Sequence, residues 1–268
     1  MPILALVFLA IVVGVLIGTV GVGGVALPPF LTWFGGFDPH TAAGTSSLAF
    51  IFTGVVATVM YARHSSMSWR LVRWLALGAV PGALAGSWAN GYVPDAYAMA
   101  PLALLVTAAG ARHLWSILRA RQQAPDWVQR TPGHMLPQPL SPLSSAAGET
   151  MVLTGLGVGF ASALTGTGGP VFLVPALLML GVPALTAVAA AQVVQLPLVI
   201  AAVLGYARQG AIDFGTGSLI GVLASLGVVA GVLIATRLPP RVLSLTTGFA
   251  LAGFGALLTG STVLTLLG

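Results

Sequence analysis

The sequence predicts an all-α, polytopic integral membrane protein. Hydrophobic residues make up 57% of the chain and charged residues only 6%, against about 25% charged residues in soluble domains. The apolar segments are long and continuous, whereas a membrane β-barrel shows short alternating strands. A glycine-rich stretch also recurs inside two of these segments. We therefore expect about eight transmembrane segments in two homologous halves, with a broken or re-entrant helix in each.

Eight segments approach the length of about 20 apolar residues that a helical span needs. The first and the fifth are too long for one straight span. Each is either a tilted broken helix or a full helix followed by a re-entrant half, and the sequence leaves both alternatives open. The segments cover roughly 3–33, 44–62, 70–90, 98–118, 150–180, 185–206, 214–236 and 242–267.

One long polar stretch, rich in proline, serine and arginine, divides the chain. Five prolines fall within residues 125–142, and proline removes the helical hydrogen bond and clashes with the preceding turn. We predict an N-terminal transmembrane repeat at 1–118, a linker at 119–148 and a C-terminal transmembrane repeat at 149–268.

The basic residues are all arginines and lie between the apolar segments, although the net charge is +5. They therefore indicate membrane topology and not nucleic-acid binding. With eight spans the main arginine-rich loops, including those of Arg63 and Arg208, share one side, which the positive-inside rule assigns to the cytoplasm. These two arginines either snorkel to the interface or attract anions into a vestibule. Tyr61 and Tyr206 are expected to be interfacial anchors.

A single offset of 145 residues aligns about 75 residues of the two halves. The matches include the glycine-rich stretches and a Tyr-Ala-Arg triplet, which together indicate an internal duplication. Under this offset Gly21, Gly23 and Gly24 fall on Gly166, Gly168 and Gly169, and Tyr61-Ala62-Arg63 falls on Tyr206-Ala207-Arg208. Duplicated halves with paired interrupted helices are typical of secondary transporters.

The first half contains Gly21-Val22-Gly23-Gly24, followed by Pro28 and Pro29 and then by Ala43-Gly44-Thr45-Ser46. In this set of motifs it resembles the TauE/SafE family of sulfite and organosulfonate exporters. The second half is similar through Gly166-Thr167-Gly168-Gly169 and Pro175. It departs from the pattern where Ala190, Ala191 and Gln192 replace the hydroxyl cluster. The resemblance implies an exporter and a sulfur-containing anion as its substrate.

The glycine stretches are the first candidates for substrate binding. A helix that restarts after a break presents free N–H groups and the positive end of its dipole to an anion. Close helix packing is the alternative role for such glycines. The full set of candidate substrate-binding residues is Gly21, Gly23, Gly24, Thr45, Ser46, Ser47, Gly166, Thr167, Gly168, Gly169, Gln192 and Gln195, with Arg63 and Arg208 at a vestibule.

The polar candidates each have two roles open to them. Thr45, Ser46 and Ser47 open an apolar segment, where a hydroxyl either caps the helix or donates to a substrate oxyanion. Gln192 and Gln195 lie on one helix face. They either form interhelical hydrogen bonds, since an unpaired buried amide is costly, or line a polar pocket that faces the Thr45–Ser47 cluster.

The acidic residues all fall in loops or at segment ends, which disfavours a cation transporter or a proton relay. No catalytic set, metal site or cofactor is predicted, and we expect no enzyme activity. The sequence favours a secondary transporter of a small anion in the bacterial cytoplasmic membrane, whose partners are that anion and the lipid bilayer. A homo-oligomer is compatible with it. The alternatives are an anion channel and a non-transporting membrane assembly subunit.

Overall fold

The structure is a computed structural model that describes residues 3–64, 68–92 and 145–239, with isolated positions at 107, 111 and 115 and within 242–256. Within these ranges the regular secondary structure is helical throughout. The helices are α1 Ile3–Val20, α2 Leu27–Gly35, α3 Pro39–His64, α4 Trp69–Asn90, α5 Ser145–Thr165, α6 Pro170–Met179, α7 Ala184–Arg208 and α8 Phe214–Arg237, and a 3-10 turn at Gly23–Ala26 precedes α2. Most of the predicted segments at 98–118 and 242–267 and most of the linker lie outside the described residues.

Both predicted helix breaks are confirmed. Gly21 ends α1 in a left-handed conformation (φ 79°), and Gly166 ends α5 in the same way (φ 65°). Glycine adopts this conformation without the steric penalty of a Cβ atom. The helix restarts after each stretch, and Pro170 occupies the first position of α6, where its missing N–H removes no hydrogen bond.

After the first break the chain turns back along α3. The end of α1 lies beside the end of α3, because the Tyr61 hydroxyl donates to the Gly18 carbonyl at 2.6 Å. Gly24 lies against Phe50, halfway along α3, and the returning helix α2 ends shortly before α3 begins. Of the two alternatives that the sequence left open, the structure therefore has a full helix followed by a returning half helix.

The second half follows the same path beside α7. Ala163, near the end of α5, accepts a hydrogen bond from Tyr206, near the end of α7. Gly169 then lies against Leu198 further back along α7. In addition, α3 and α7 begin 145 residues apart, and so do α4 and α8.

The contacts between helices give their relative directions. The His40 ring lies 5.5 Å from the Tyr206 ring, whereas the Phe50 carbonyl bonds to Gln195, so α3 and α7 are antiparallel. Three helix pairs are parallel: α1 with α8, α3 with α8, and α4 with α5. In each pair the residue numbers of the contacting positions increase together along both helices. Helices α1, α3 and α8 therefore point one way and α4, α5 and α7 the other. Corresponding helices such as α1 and α5 are inverted relative to each other.

Each broken helix packs on a long helix of the opposite half: α1 on α8, and α5 on α4. Glycines bring the backbones into direct contact at both interfaces. A Cβ atom at Gly14 would lie 2.0 Å from the Ala224 carbonyl oxygen, and one at Gly159 would lie 2.2 Å from that of Ala79. Small residues at helix interfaces permit this close packing in membranes.

Two predicted helix boundaries and one predicted membrane side need correction. Helix α3 begins at Pro39 and not near residue 44, and α5 begins at Ser145, so the last four residues of the predicted linker are helical. Arg63 and Arg208 were predicted to share one side of the membrane. They lie at opposite ends of the bundle instead, because each ends its own helix and the two helices are antiparallel.

The surface of the bundle is apolar. Large side chains such as Leu77, Leu153 and Leu226 are mostly exposed, and soluble monomers rarely carry contiguous apolar surface of this extent. Three described helices are long and apolar enough to cross a membrane: Pro39–Arg63, Ala184–Arg208 and Phe214–Arg237. The total of eight spans stays a prediction.

Candidate functional site

The two glycine stretches lie against each other at the centre of the bundle. All eight residues of 21–24 and 166–169 are buried. A Cβ atom at Gly24 would lie only 2.7 Å from the carbonyl oxygen of Thr167. Two stretches 145 residues apart in sequence therefore form one feature, and glycine is required for their contact.

Phe50, which the sequence analysis did not select, lies between the two stretches. A Cβ atom at Gly168 would lie 2.5 Å from its ring, and one at Gly24 would lie 3.0 Å from it. The ring is buried (1% exposed) and closes the space between the stretches in this conformation. The 145-residue offset aligns Phe50 with the candidate residue Gln195. This alignment in the sequence could have identified Phe50 as a further site residue.

The hydroxyl cluster does not cap α3, so of the two roles left open for it the capping role is excluded. The cluster lies in the second and third turns, because Asp38 caps the helix by accepting from the Thr41 backbone N–H at 3.0 Å. Ser46 and Ser47 donate to carbonyls one turn back, at 2.7 and 2.8 Å, a common arrangement for helical serines. Thr45 accepts from the Asp213 backbone N–H at 3.0 Å and so joins α3 to the start of α8.

Both glutamines form interhelical hydrogen bonds. Gln192 Nε2 donates to the Ile17 carbonyl at 2.6 Å, at the end of α1. Gln195 Nε2 donates to the Phe50 carbonyl at 3.1 Å and to Thr53 Oγ1 at 3.2 Å. The structure thus does not join the two amides to the Thr45–Ser47 cluster in one pocket, but it places both beside the glycine stretches.

Tyr61 and Tyr206 were predicted to be interfacial anchors. This prediction is wrong, because both side chains are fully buried. Each phenol donates to a carbonyl in the last turn of a broken helix, Gly18 in α1 and Ala163 in α5. These carbonyls lie where the helix ends and intrahelical partners run out. The two tyrosines therefore hold the two breaks to α3 and α7.

Tyr61→Phe and Tyr206→Phe are each expected to lower the free energy of unfolding by about 1 kcal/mol, because each leaves a buried carbonyl with one hydrogen bond fewer. The measurement is thermal unfolding in detergent micelles. Tyr92→Phe is the matched control, since Tyr92 is 73% exposed. Equal effects of all three substitutions would contradict the role assigned to the buried pair.

A polar network ties the second break to the first half. His40 Nδ1 hydrogen-bonds to Asn90 Oδ1, and Asn90 Nδ2 donates to the Leu164 carbonyl at 2.5 Å. Leu164 lies in the last turn of α5. The sequence analysis assigned no role to His40, and no spacing in the chain indicates its pairing with Asn90.

Charged groups stay away from the centre in the part of the chain that the structure describes. Asp38 precedes α3, Glu149 is exposed near the start of α5, and Asp213 caps α8. The Thr41 hydroxyl and backbone N–H lower the pKa of Asp38. Arg63 and Arg208 are exposed at opposite ends, so a vestibule role for them stays a prediction. Among the described residues, the centre offers an anion backbone, hydroxyl and amide groups and no charged side chain.

The fold and the buried double break define a multi-pass helical membrane protein. The sulfite exporter TauE/SafE family model matches residues 6–258. The chain belongs to this family, which is a family of transporters, and the membership predicted from its motifs is confirmed.

A curated relative is the "Probable membrane transporter protein YjnA" of Bacillus subtilis (strain 168), 32% identical over 79 residues. The match spans 30% of this chain and 31% of that protein. No solved structure shows a significant match to the chain. The family model, which spans most of the chain, supports a membrane transporter.

Proposed function

We propose that the protein is a secondary transporter that exports small anions, such as sulfite, organosulfonates or related organic anions, across the bacterial cytoplasmic membrane. The described helices that the 145-residue offset pairs run in opposite directions, which supports inverted repeats, and in many secondary transporters the substrate binds at the repeat interface near the midplane of the bilayer. The family description supports the sulfur-containing substrate and the direction.

The observation that carries the proposal is the contact between the two glycine stretches. Each stretch precedes a short helix, but Pro28, Pro29 and Pro170 in the first turns have no N–H, and the Leu27 N–H bonds to the Gly24 carbonyl. A substrate between the stretches would therefore face the backbone N–H groups of the glycine stretches themselves, from both halves. The buried amides of Gln192 and Gln195 and the hydroxyl of Thr167 lie in the same region.

The driving force follows from charge. An inside-negative membrane potential favours the exit of an anion by about 2.3 kcal/mol per charge per 100 mV. Export therefore needs no coupling carboxylate. In the observed conformation the centre is closed by Phe50, and we propose that movement of one half against the other opens it to each side in turn.

Gly24→Val is expected to abolish anion flux, because its side chain would overlap the Thr167 carbonyl and fill the space between the stretches. Gly169→Val is expected to act in the same way through Leu198, which lies 3.1 Å from the Cβ position. The measurement is uptake or release of radiolabelled sulfite and sulfonates by proteoliposomes that contain the purified protein.

Gly215→Ala is the matched control, because the position is exposed and its nearest neighbour, Asp213 Oδ1, is 3.5 Å away. Absence of anion flux in the wild-type protein, or normal flux in Gly24→Val, would contradict the proposal. Single-channel currents would indicate an anion channel instead. Normal function after substitution of Thr45, Ser46 and Gln192 would favour an assembly subunit.

A further inference from the structure

The side chain of Gln192 has a fixed orientation at the first helix break. Its Nε2 atom lies 2.6 Å from the Ile17 carbonyl oxygen. Only the NH2 group can face a carbonyl at this distance, since two acceptors would repel. The contact therefore assigns the two ends of the amide and keeps Oε1 from bonding to the Ile17 carbonyl.

Gln192 Oε1 has no hydrogen-bond partner, although the side chain is fully buried. Buried acceptors in proteins are nearly always paired, and an exception needs an explanation. The amide is beside the first glycine stretch, since a Cβ atom at Gly21 would lie 3.8 Å from its Nε2. The same Cβ would also meet Val174 and Pro170 of the second half. The amide that carries the unpaired acceptor thus lies next to the proposed anion site.

We propose that the transported anion carries its own hydrogen-bond donor, an O–H or N–H group, which it gives to Gln192 Oε1. This inference rests on the proposed function. It favours hydrogen sulfite, whose proton makes it a donor, and hydroxysulfonates, whose hydroxyl group is a donor. A fully deprotonated oxyanion or a plain alkanesulfonate has only acceptors, so it would leave Oε1 unpaired or repel it.

The other half does not offer the same selection. The 145-residue offset places Ser47 opposite Gln192 and Ser162 opposite Ile17. Ser47 donates to the Ala43 carbonyl, and the buried Ser162 hydroxyl has no partner. A hydroxyl can donate or accept, so Ser162 can pair with either kind of anion. The requirement for a donor therefore comes from Gln192 alone among these residues.

The test compares two sulfonates of nearly the same shape, 2-hydroxyethanesulfonate and propane-1-sulfonate, in which a hydroxyl replaces a methyl group. Wild-type protein in proteoliposomes is expected to transport the hydroxysulfonate with a kcat/KM about tenfold higher or more, since a site built to pair a substrate O–H rejects the analogue that lacks it. Gln192→Met is expected to reduce this preference to about threefold or less.

Gln195→Met is the matched control on the same helix. Loss of the Gln195 amide is expected to change the transport rates of both sulfonates by a similar factor and so to keep the ratio of the two rates. Equal transport of the two sulfonates by the wild-type protein would overturn the inference and leave the proposed function standing, whereas absence of any sulfite or sulfonate flux would overturn the proposed function. If Gln192→Met fails to fold, the comparison of the two sulfonates in the wild-type protein tests the inference by itself.

Discussion

Gly159→Ala is expected to be among the most destabilising substitutions in the protein. The new Cβ would lie 2.2 Å from the Ala79 carbonyl oxygen of α4, and neither backbone can move without separating the two helices. Overpacking costs about 1–3 kcal/mol where side chains can adjust, and we expect at least the upper end of this range for a clash between backbones. The measurement is the unfolding midpoint in detergent, followed by size-exclusion chromatography.

Gly157→Ala provides the control on the same helix. Gly157 is exposed and a Cβ there meets nothing within 4 Å, so we expect no loss and a gain of up to about 1 kcal/mol in helix propensity. Gly14→Ala should reproduce the Gly159 result at the other interface, through the carbonyl of Ala224. Similar stabilities for Gly157→Ala and Gly159→Ala would show that α4 and α5 do not pack as described.

Phe50→Ala is expected to turn the closed centre into a leak. The ring fills the space between Gly24 and Gly168, and its removal leaves a cavity at the contact of the two stretches. Truncation of a buried phenylalanine costs about 3–5 kcal/mol of stability. Folded Phe50→Ala protein should therefore release anions from proteoliposomes faster, without the counterflow that alternating access produces. The measurement is anion efflux per folded molecule.

Phe52→Ala separates the loss of packing from the loss of the barrier. Phe52 lies on the same helix but packs on Gly221 of α8. We expect it to lower the stability without increasing the efflux per folded molecule. If the two substitutions gave the same efflux, the ring of Phe50 would not be the barrier.

The broken helices were predictable because their cause is local. Three glycines in four residues end a helix whatever surrounds them, and the family motif spans the same residues. The start of α3 was predicted less well. Proline and histidine precede its apolar run, and the capping bond of Asp38 extends the helix by a turn and more. The Thr45–Ser47 hydroxyls therefore fall inside the helix and not at its end.

The partners of the polar residues could not be predicted, because they depend on contacts between distant parts of the chain. Gln192 bonds to Ile17 and Asn90 to Leu164, and no spacing in the sequence encodes either pair. Tyr61 and Tyr206 resembled interfacial residues by their position beside arginines. They are buried in the structure because the ends of α1 and α5 pack against them.

The sequence by itself determined that this is a helical membrane protein of the TauE/SafE family, with helices interrupted at two matching glycine stretches. Composition and local backbone preference suffice for that. Only the tertiary structure decided that corresponding helices are inverted, that the stretches meet around Phe50, and that Gln192 keeps an unpaired acceptor beside them. Each of these features depends on how helices from opposite halves pack. That packing is set by contacts between residues that are more than 100 positions apart in the chain.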